Sequence, residues 1–148
     1  MPGSLRHRAL ANPEGCRDLT VLNGPLWRET EVPAVNLHTT ARAVARFYAG
    51  LLAGGTLDGH RLMSAETVAE MVRVQHSGPD LLLGGDVDWT LGMQVDPDGT
   101  WGMGGTGGNV GYADPALDFA VGYVTHHLAD FERVDAVGEA VLRAAQGA

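Results

Sequence analysis

Residues 101–115 read WGMGGTGGNVGYADP, with six glycines between positions 102 and 111. Glycine loses more backbone entropy on folding than any other residue, so this density is expected only where φ is positive or another group approaches closely. An apolar run follows at 118–125, and its lack of strict alternation is typical of a strand covered on both faces. Between the two, 114–117 (Asp-Pro-Ala-Leu) predicts a turn, because proline presets φ at the second turn position. We therefore predict a hairpin that forms the wall of an active site.

Three amphipathic helices are predicted around this hairpin. The first begins near Thr39 or Thr40 as the N-cap and ends at Gly54-Gly55, and the second begins at Ser64. The third begins at Asp130, and Gly138 on its apolar face would permit a close approach to a sheet. The apolar positions at helical spacing are Val44, Tyr48, Leu51 and Leu52 in the first helix, Val68, Met71 and Val72 in the second, and Phe131, Val134, Val137, Val141 and Leu142 in the third.

The alternating segment 88–95 predicts a half-buried strand, and 96–99 (Asp-Pro-Asp-Gly) predicts a turn after it. We predict a mixed α+β domain whose antiparallel sheet is built from about 88–95, 100–112 and 118–125. The C-terminal helix covers one face of the sheet, and the two other helices lie nearby. Residues 1–36 contain four prolines and are predicted to be extended or irregular, so that 37–148 forms the domain.

Composition indicates an ordinary folded domain. The chain has 148 residues, of which 45% are hydrophobic and 19% charged, which is enough for one core. Its net charge of −8 disfavours a nucleic-acid partner, since phosphate binding needs clustered basic residues. No stretch approaches the length of a membrane span or contains the apolar core of a signal peptide, so we expect a cytoplasmic protein without a membrane partner. The single Cys16 cannot form an internal disulfide.

The glycine-rich stretch, the acidic-Pro turn and the second apolar strand resemble the end of the serine β-lactamase, penicillin-binding protein and esterase-like superfamily, especially its bacterial esterase-like branch. Segments 31–36, 41–52 and 54–64 resemble the same branch. The likeness runs from about Ala9 to Ala145 and corresponds to the C-terminal part of a family member. It implies the C-terminal part of the β-lactamase-like fold. It also implies a pocket wall that keeps a remnant of the family's oxyanion hole. Thr106 stands where the family uses one backbone N–H for that hole. The residues of the wall are Met103, Gly104, Gly105, Thr106, Gly107 and Gly108.

The chain departs from the family at its chemical groups. The third family motif is Lys-Thr-Gly or His-x-Gly, and Met103 stands at the Lys or His position. The sequence contains ten arginines and no lysine, so Ser-x-x-Lys cannot occur in it, and the Tyr-x-Asn or Ser-x-Asn motif would lie before Met1. An activated serine needs a neighbouring base, and a thioether cannot relay a proton. We therefore assign no catalytic residue, cofactor or metal.

Other sites have weaker support in the sequence. Residues 102–107 satisfy G-x-G-x-x-G, but a dinucleotide site requires a helix directly afterwards, and Gly111 and Pro115 argue against one. Four aspartates at 86, 88, 96 and 98 lack the spacing and closing Glu of an EF-hand calcium loop. The adjacent His126 and His127 would point to opposite faces of a strand and cannot share a metal there.

Three functions remain open. The first is a β-lactamase-related serine hydrolase fragment that is inactive alone and keeps the pocket wall. The second is a functional half of an esterase or a β-lactam or peptide amide hydrolase, completed by another polypeptide or an upstream segment. The third is a non-catalytic ligand-binding or interaction module that uses the groove near 103–108 for a small ester or amide. An unpaired sheet edge would also favour a homo-oligomer or a complementary N-terminal polypeptide, unless residues 1–36 fold over the exposed face.

Overall fold

The computed structural model describes residues 3–12 and 14–147, which contain six helices and eight strands. The helices are α1 Leu5–Leu10, α2 Leu19–Leu22, α3 Pro25–Glu29, α4 Ala41–Leu52, α5 Ala65–Val72 and α6 Glu132–Ala145. The strands are β1 Thr56–Leu57, β2 His60–Arg61, β3 His76–Asp80, β4 Gly85–Trp89, β5 Gln94–Val95, β6 Trp101–Gly105, β7 Asn109–Asp114 and β8 Phe119–Tyr123. The mixed α+β class with an antiparallel sheet and a C-terminal helix is confirmed.

The chain divides into two compact units. The first comprises residues 1–38 with 79–86, and the second comprises 39–78 with 87–148. In the first unit, the segment predicted to be irregular contains the three short helices α1, α2 and α3. The Ser4 and Asp18 side chains cap α1 and α2, and Pro25 begins α3, where its missing N–H costs nothing. The domain boundary placed at 36/37 stays a prediction.

In the second unit, both predicted helix starts are confirmed. The Thr40 side chain accepts a hydrogen bond from the Ala43 N–H at the start of α4, and the Ser64 side chain accepts one from the Thr67 N–H at the start of α5. Gly54 follows the end of α4 with φ +69°, a conformation that favours glycine. The core of this unit joins both helices to the sheet and consists of Tyr48, Leu51, Val68, Met93, Trp101 and Ala113.

The sheet has six strands in the order β3-β4-β5-β6-β7-β8, so each strand pairs with its neighbour in sequence. The predicted strand 88–95 is wrong as a single element, because it turns back on itself between β4 and β5. Gly92 has φ +98°, and the buried Thr90 closes the turn by donating its N–H to the Met93 carbonyl. Alternating polarity at 88–95 therefore marks two short strands and the turn between them.

The predicted strand 100–112 is also two strands, β6 and β7, joined by a turn at 106–108. Gly107 and Gly108 adopt φ +80° and +88°, which an extended strand does not contain. The turn at 114–117 is confirmed: the Asp114 carboxylate accepts hydrogen bonds from the N–H groups of Ala116 and Leu117.

Helix α6 begins two residues after Asp130, whose carboxylate accepts a hydrogen bond from the Glu132 N–H. Only Val134 on this helix is buried, and two residues predicted on its apolar face, Val137 and Leu142, are exposed. Phe131, directly before the helix, is also exposed, although its ring lies against Gly104 of the sheet. The amphipathic helix is present, but the sheet covers only part of its apolar face. No described helix has the length and apolar character needed to cross a bilayer.

Candidate functional site

The glycine-rich wall is a tight antiparallel hairpin. Strands β6 and β7 pair with Met103 opposite Gly111 and Gly105 opposite Asn109. The residues proposed for the pocket wall therefore fall in two places: Met103, Gly104 and Gly105 lie on β6, whereas 106–108 form the turn. This strand-turn-strand arrangement has no helix after the glycines, which agrees with our rejection of a dinucleotide site.

The Asn109 side chain holds the turn at 106–108 through two hydrogen bonds, a role that the sequence did not predict. Its Nδ2 donates to the Thr106 carbonyl at 2.8 Å, and its Oδ1 accepts from the Thr125 N–H at 2.8 Å. The Gly107 carbonyl also accepts a hydrogen bond from the Ala129 N–H at 3.1 Å. These bonds tie the turn to the segment after β8 and fix the direction of its backbone groups.

Two of the glycines are required by packing within the chain. A Cβ atom on Gly107 would approach Leu128, to within 2.8 Å of its Cα atom, and one on Gly108 would meet the Asp130 carbonyl. We predicted that another group approaches the glycine-rich stretch closely. At these two positions that group belongs to the chain itself. Thr106, between them and the strand, is exposed.

Helix α4 supports the wall from one face of the sheet. The Tyr48 ring lies 6.0 Å from the Trp101 ring, and a Cβ atom on Gly111 would stand 2.9 Å from Cδ2 of Tyr48. Burial raises the pKa of the Tyr48 phenol, and a hydrogen bond with the Met103 backbone acts in the opposite direction. The phenol therefore stays protonated at neutral pH and anchors the strand that carries Met103.

The Met103 side chain is 40% exposed. It presents a flexible, polarisable thioether, which has no ionisable group. The position can contact an apolar part of a ligand, but it cannot transfer a proton.

Two of the three described serines cap helices, and the third, Ser77, lies exposed on β3. The Ser4 hydroxyl caps α1, and the Ser64 hydroxyl caps α5 and also contacts the Thr67 hydroxyl at 3.0 Å. Ser64 hydrogen-bonds the Glu66 carboxylate as well. The pKa of Glu66 is lowered, first by a hydrogen bond with its own backbone N–H and then by Ser64. The half-buried Ser64 hydroxyl is thus shared between the start of α5 and this carboxylate.

The other candidate residues do not converge. Cys16 donates a hydrogen bond to the Leu10 carbonyl at 3.2 Å. His126 and His127 follow the end of β8, and the His127 carbonyl accepts a hydrogen bond from Arg133 at 2.7 Å. Among residues 3–12 and 14–147, no cluster of three His, Cys, Asp or Glu side chains could hold a metal ion.

A cavity of about 410 Å³ lies on the other face of the sheet, beside α6, and was not predicted. A Cβ atom on Gly104 would stand 3.0 Å from Cε1 of Phe131, the residue directly before α6, and one on Gly138 of α6 would stand 3.6 Å from the Tyr112 hydroxyl, so α6 lies on this face. The carboxylates lining the cavity are Asp96, Asp98, Asp114, Asp135 and Glu139. Burial raises the pKa of the Tyr112 phenol there, and the charges of Asp114 and Asp98 raise it further. These carboxylates come from one turn, one strand and one helix that are far apart in the sequence, so no sequence pattern predicted that they meet.

Comparisons with known proteins agree with this architecture. The Beta-lactamase family model matches residues 2–146. The chain is 35% identical over 105 residues to Esterase/beta-lactamase LipL of Mycobacterium tuberculosis (strain ATCC 25618 / H37Rv), an alignment that covers 68% of this chain and 24% of that protein.

Two solved structures are similar. A family VIII carboxylesterase matches with a TM-score of 0.76 and 31% identity, over 82% of this chain and 36% of that one. A penicillin-binding protein homolog from Caulobacter crescentus matches with a TM-score of 0.64 and 32% identity, over 70% of this chain and 30% of that one. The chain thus spans about a quarter of the curated relative and about a third of each solved structure.

Proposed function

Because this chain belongs to the Beta-lactamase family, we propose that it keeps the glycine-rich wall of a serine hydrolase pocket and does not hydrolyse substrates by itself. The observation that carries the proposal is the exposed Met103 on β6. It stands where the resemblance places Lys or His, and its side chain has no proton to give or accept near neutral pH.

The remaining residues support the same proposal. Without any lysine, the chain cannot form the Ser-x-x-Lys arrangement that would activate a nucleophile. The hydroxyls of Ser4 and Ser64 are used at helix starts, and Ser77, which is exposed on β3, has no lysine of this chain to activate it. What the chain offers a ligand is a rigid turn at 106–108, held by Asn109, beside an apolar thioether. A small ester or amide is the class of ligand that we propose for this wall.

The relatives favour a second candidate. The curated relative and the carboxylesterase are much longer, since the aligned parts amount to 24% and 36% of their lengths. A complementary polypeptide, or a further segment of the protein, could then supply the serine, the lysine and the tyrosine. Under this proposal the wall formed by β6 and β7 is one side of a working esterase or amide hydrolase. For either candidate we propose a cytoplasmic location. We also propose that neither binds nucleic acid, because the net charge of −8 disfavours contact with phosphates.

Hydrolysis assays separate the two candidates. The purified chain is incubated with a chromogenic β-lactam and with a short-chain nitrophenyl ester, beside a family VIII carboxylesterase as the positive control. We expect no rate above the buffer background. The same assay is repeated after adding the N-terminal portion of the carboxylesterase. Hydrolysis that requires the mixture supports the second candidate, whereas hydrolysis by the chain alone contradicts the first.

A further inference from the structure

The cavity on the α6 face of the sheet contains a buried carboxylate that the protein satisfies only in part. Asp114 lines this cavity and is 6% exposed. Its Oδ1 atom accepts hydrogen bonds from the N–H groups of Ala116 and Leu117 in the turn after β7. No described residue donates a hydrogen bond to its Oδ2 atom. A buried carboxylate oxygen without a donor is costly, so a donor bound in the cavity would stabilise Asp114.

The charges that line the cavity are all negative. None of the described lining residues is basic. Of the lining carboxylates, Glu139 has an arginine partner, Arg143, at 3.5 Å, and no other ion pair of the described residues involves them. Burial raises the pKa of the Tyr112 phenol, and the charges of Asp114 and Asp98 raise it further, so both carboxylates act on the same space. This excess of negative charge favours a cation.

Aromatic side chains line the same cavity. Phe119 lies opposite Asp114 in the pairing of β7 with β8, and its ring meets the Tyr112 ring edge-to-face at 6.3 Å. The Phe131 ring lies against Gly104 on the neighbouring strand. Aromatic rings attract ammonium groups and provide surface for an apolar body. No three His, Cys, Asp or Glu side chains of the described residues could hold a metal ion together. The lining therefore favours an organic cation over a metal.

We propose that this cavity binds a primary organic ammonium ion that carries a small aromatic body. One ammonium N–H donates to Oδ2 of Asp114, and the aromatic body lies against Tyr112, Phe119 and Phe131. A quaternary ammonium has no N–H for this oxygen. A guanidinium gains nothing from its two-pronged geometry, because Oδ1 is already used by the turn. The volume of about 410 Å³ lies in the range of small-molecule sites.

An NMR titration with phenethylammonium chloride tests the proposal. The amide shifts of the isotope-labelled chain are followed at constant ionic strength, because a protein with a net charge of −8 attracts every cation to some extent. Phenethyl alcohol, which has the same aromatic body and no charge, is the control ligand. We expect saturable shifts at Tyr112, Asp114 and Gly138 with the ammonium, and binding at least about tenfold weaker with the alcohol.

Asp114→Asn tests the acceptor. Asparagine keeps an oxygen for the N–H groups of the turn and replaces the second oxygen by an amide nitrogen, which cannot accept from an ammonium. Asp88→Asn is the matched charge change, because Asp88 is exposed on β4 and does not line the cavity. We expect Asp114→Asn to weaken ammonium binding at least about tenfold and Asp88→Asn less than about twofold. Equal weakening by both would overturn the proposal, since it would show attraction by the overall charge.

Gly138→Leu tests the cavity by filling it, and this test stands even if Asp114→Asn does not fold. Gly138 lines the cavity, and a Cβ atom there would stand 3.6 Å from the Tyr112 hydroxyl. Ala140→Leu, at an exposed position of α6 outside the cavity, is its control. We expect Gly138→Leu to abolish the saturable shifts and Ala140→Leu to retain them. Equal affinity for the ammonium and the alcohol, or a parent protein without saturable shifts at the cavity residues, would overturn the proposal.

Discussion

Gly111 on β7 lies directly against the ring of Tyr48 on α4. A Cβ atom at position 111 would stand 2.9 Å from Cδ2 of Tyr48, closer still to its Cε2, and 2.5 Å from Cγ1 of Val44. The helix can pack onto the hairpin only because residue 111 has no side chain. This contact holds α4 against the strand pair that carries Met103.

Gly111→Ala should therefore destabilise the protein. Overpacking of a well-filled site typically costs about 1–3 kcal/mol of unfolding free energy. Chemical denaturation followed by circular dichroism measures the change. Gly85→Ala is the matched control on β4, because a Cβ atom there meets nothing within 4 Å. An equal loss of stability in both variants would show that strand propensity, and not the Tyr48 contact, explains the glycine.

Tyr48→Phe should reduce stability at pH 8 by about 1 kcal/mol, the usual contribution of one hydrogen bond. The substitution should also reduce the amount of unfolding free energy that is lost as the pH rises above 8. Burial raises the pKa of the Tyr48 phenol, so the folded state holds this proton more tightly than the unfolded state does.

The direction of this pH effect follows from the difference between the folded and unfolded pKa of Tyr48. The stabilisation is fully present below the unfolded pKa of about 10 and is lost as the pH rises towards the folded value. Unfolding free energies measured from pH 8 to 11 should therefore fall less steeply for Tyr48→Phe than for the parent protein. Parallel curves would contradict a buried, neutral phenol at this position.

Asn109→Ala should loosen the turn at 106–108. The substitution removes the bonds to the Thr106 carbonyl and from the Thr125 N–H, and we expect a loss of about 1–3 kcal/mol. Asn109→Asp keeps an acceptor for Thr125 and should lose less. Amide hydrogen exchange should be faster at Thr125 in the alanine variant. Unchanged exchange at this amide would show that the turn does not depend on Asn109.

Local chemistry explains which elements the sequence predicted well. The caps at Thr40 and Ser64 and the turn made by Asp114 depend on a side chain and a backbone group two or three residues away, so neighbouring residues suffice to identify them. The break between β4 and β5 was missed because the alternation of 88–95 continues through a turn closed by Thr90.

Most contacts at the candidate site join residues that are far apart in the sequence, and the sequence did not predict them. The hairpin predicted between the glycine-rich stretch and 118–125 is present as β7 and β8 with its turn at 114–117, but the turn at 106–108 that divides the glycine-rich stretch was not predicted. Asn109 acts on Thr125, sixteen residues away, and the carboxylates of the α6-side cavity come from three separate segments. Contacts over such separations are set by tertiary packing, for which no local pattern exists.

Met103→His and Met103→Lys should restore the residue type of the family without restoring turnover. The nucleophilic serine and its base act together, and restoring Lys or His at position 103 leaves the activated serine absent. Ester and β-lactam hydrolysis by both variants should remain at background, with Met103→Leu as the control for folding. A clear rate gain in either variant would mean that a serine of this chain can act as the nucleophile.

Covalent capture tests the central claim most directly. The purified chain is incubated with a fluorescent penicillin and, separately, with a fluorescent phosphonate, and its intact mass is measured beside the carboxylesterase treated in the same way. We predict an unchanged mass for this chain and labelling of the carboxylesterase. A stoichiometric mass increase located on one serine would contradict the account and identify the nucleophile.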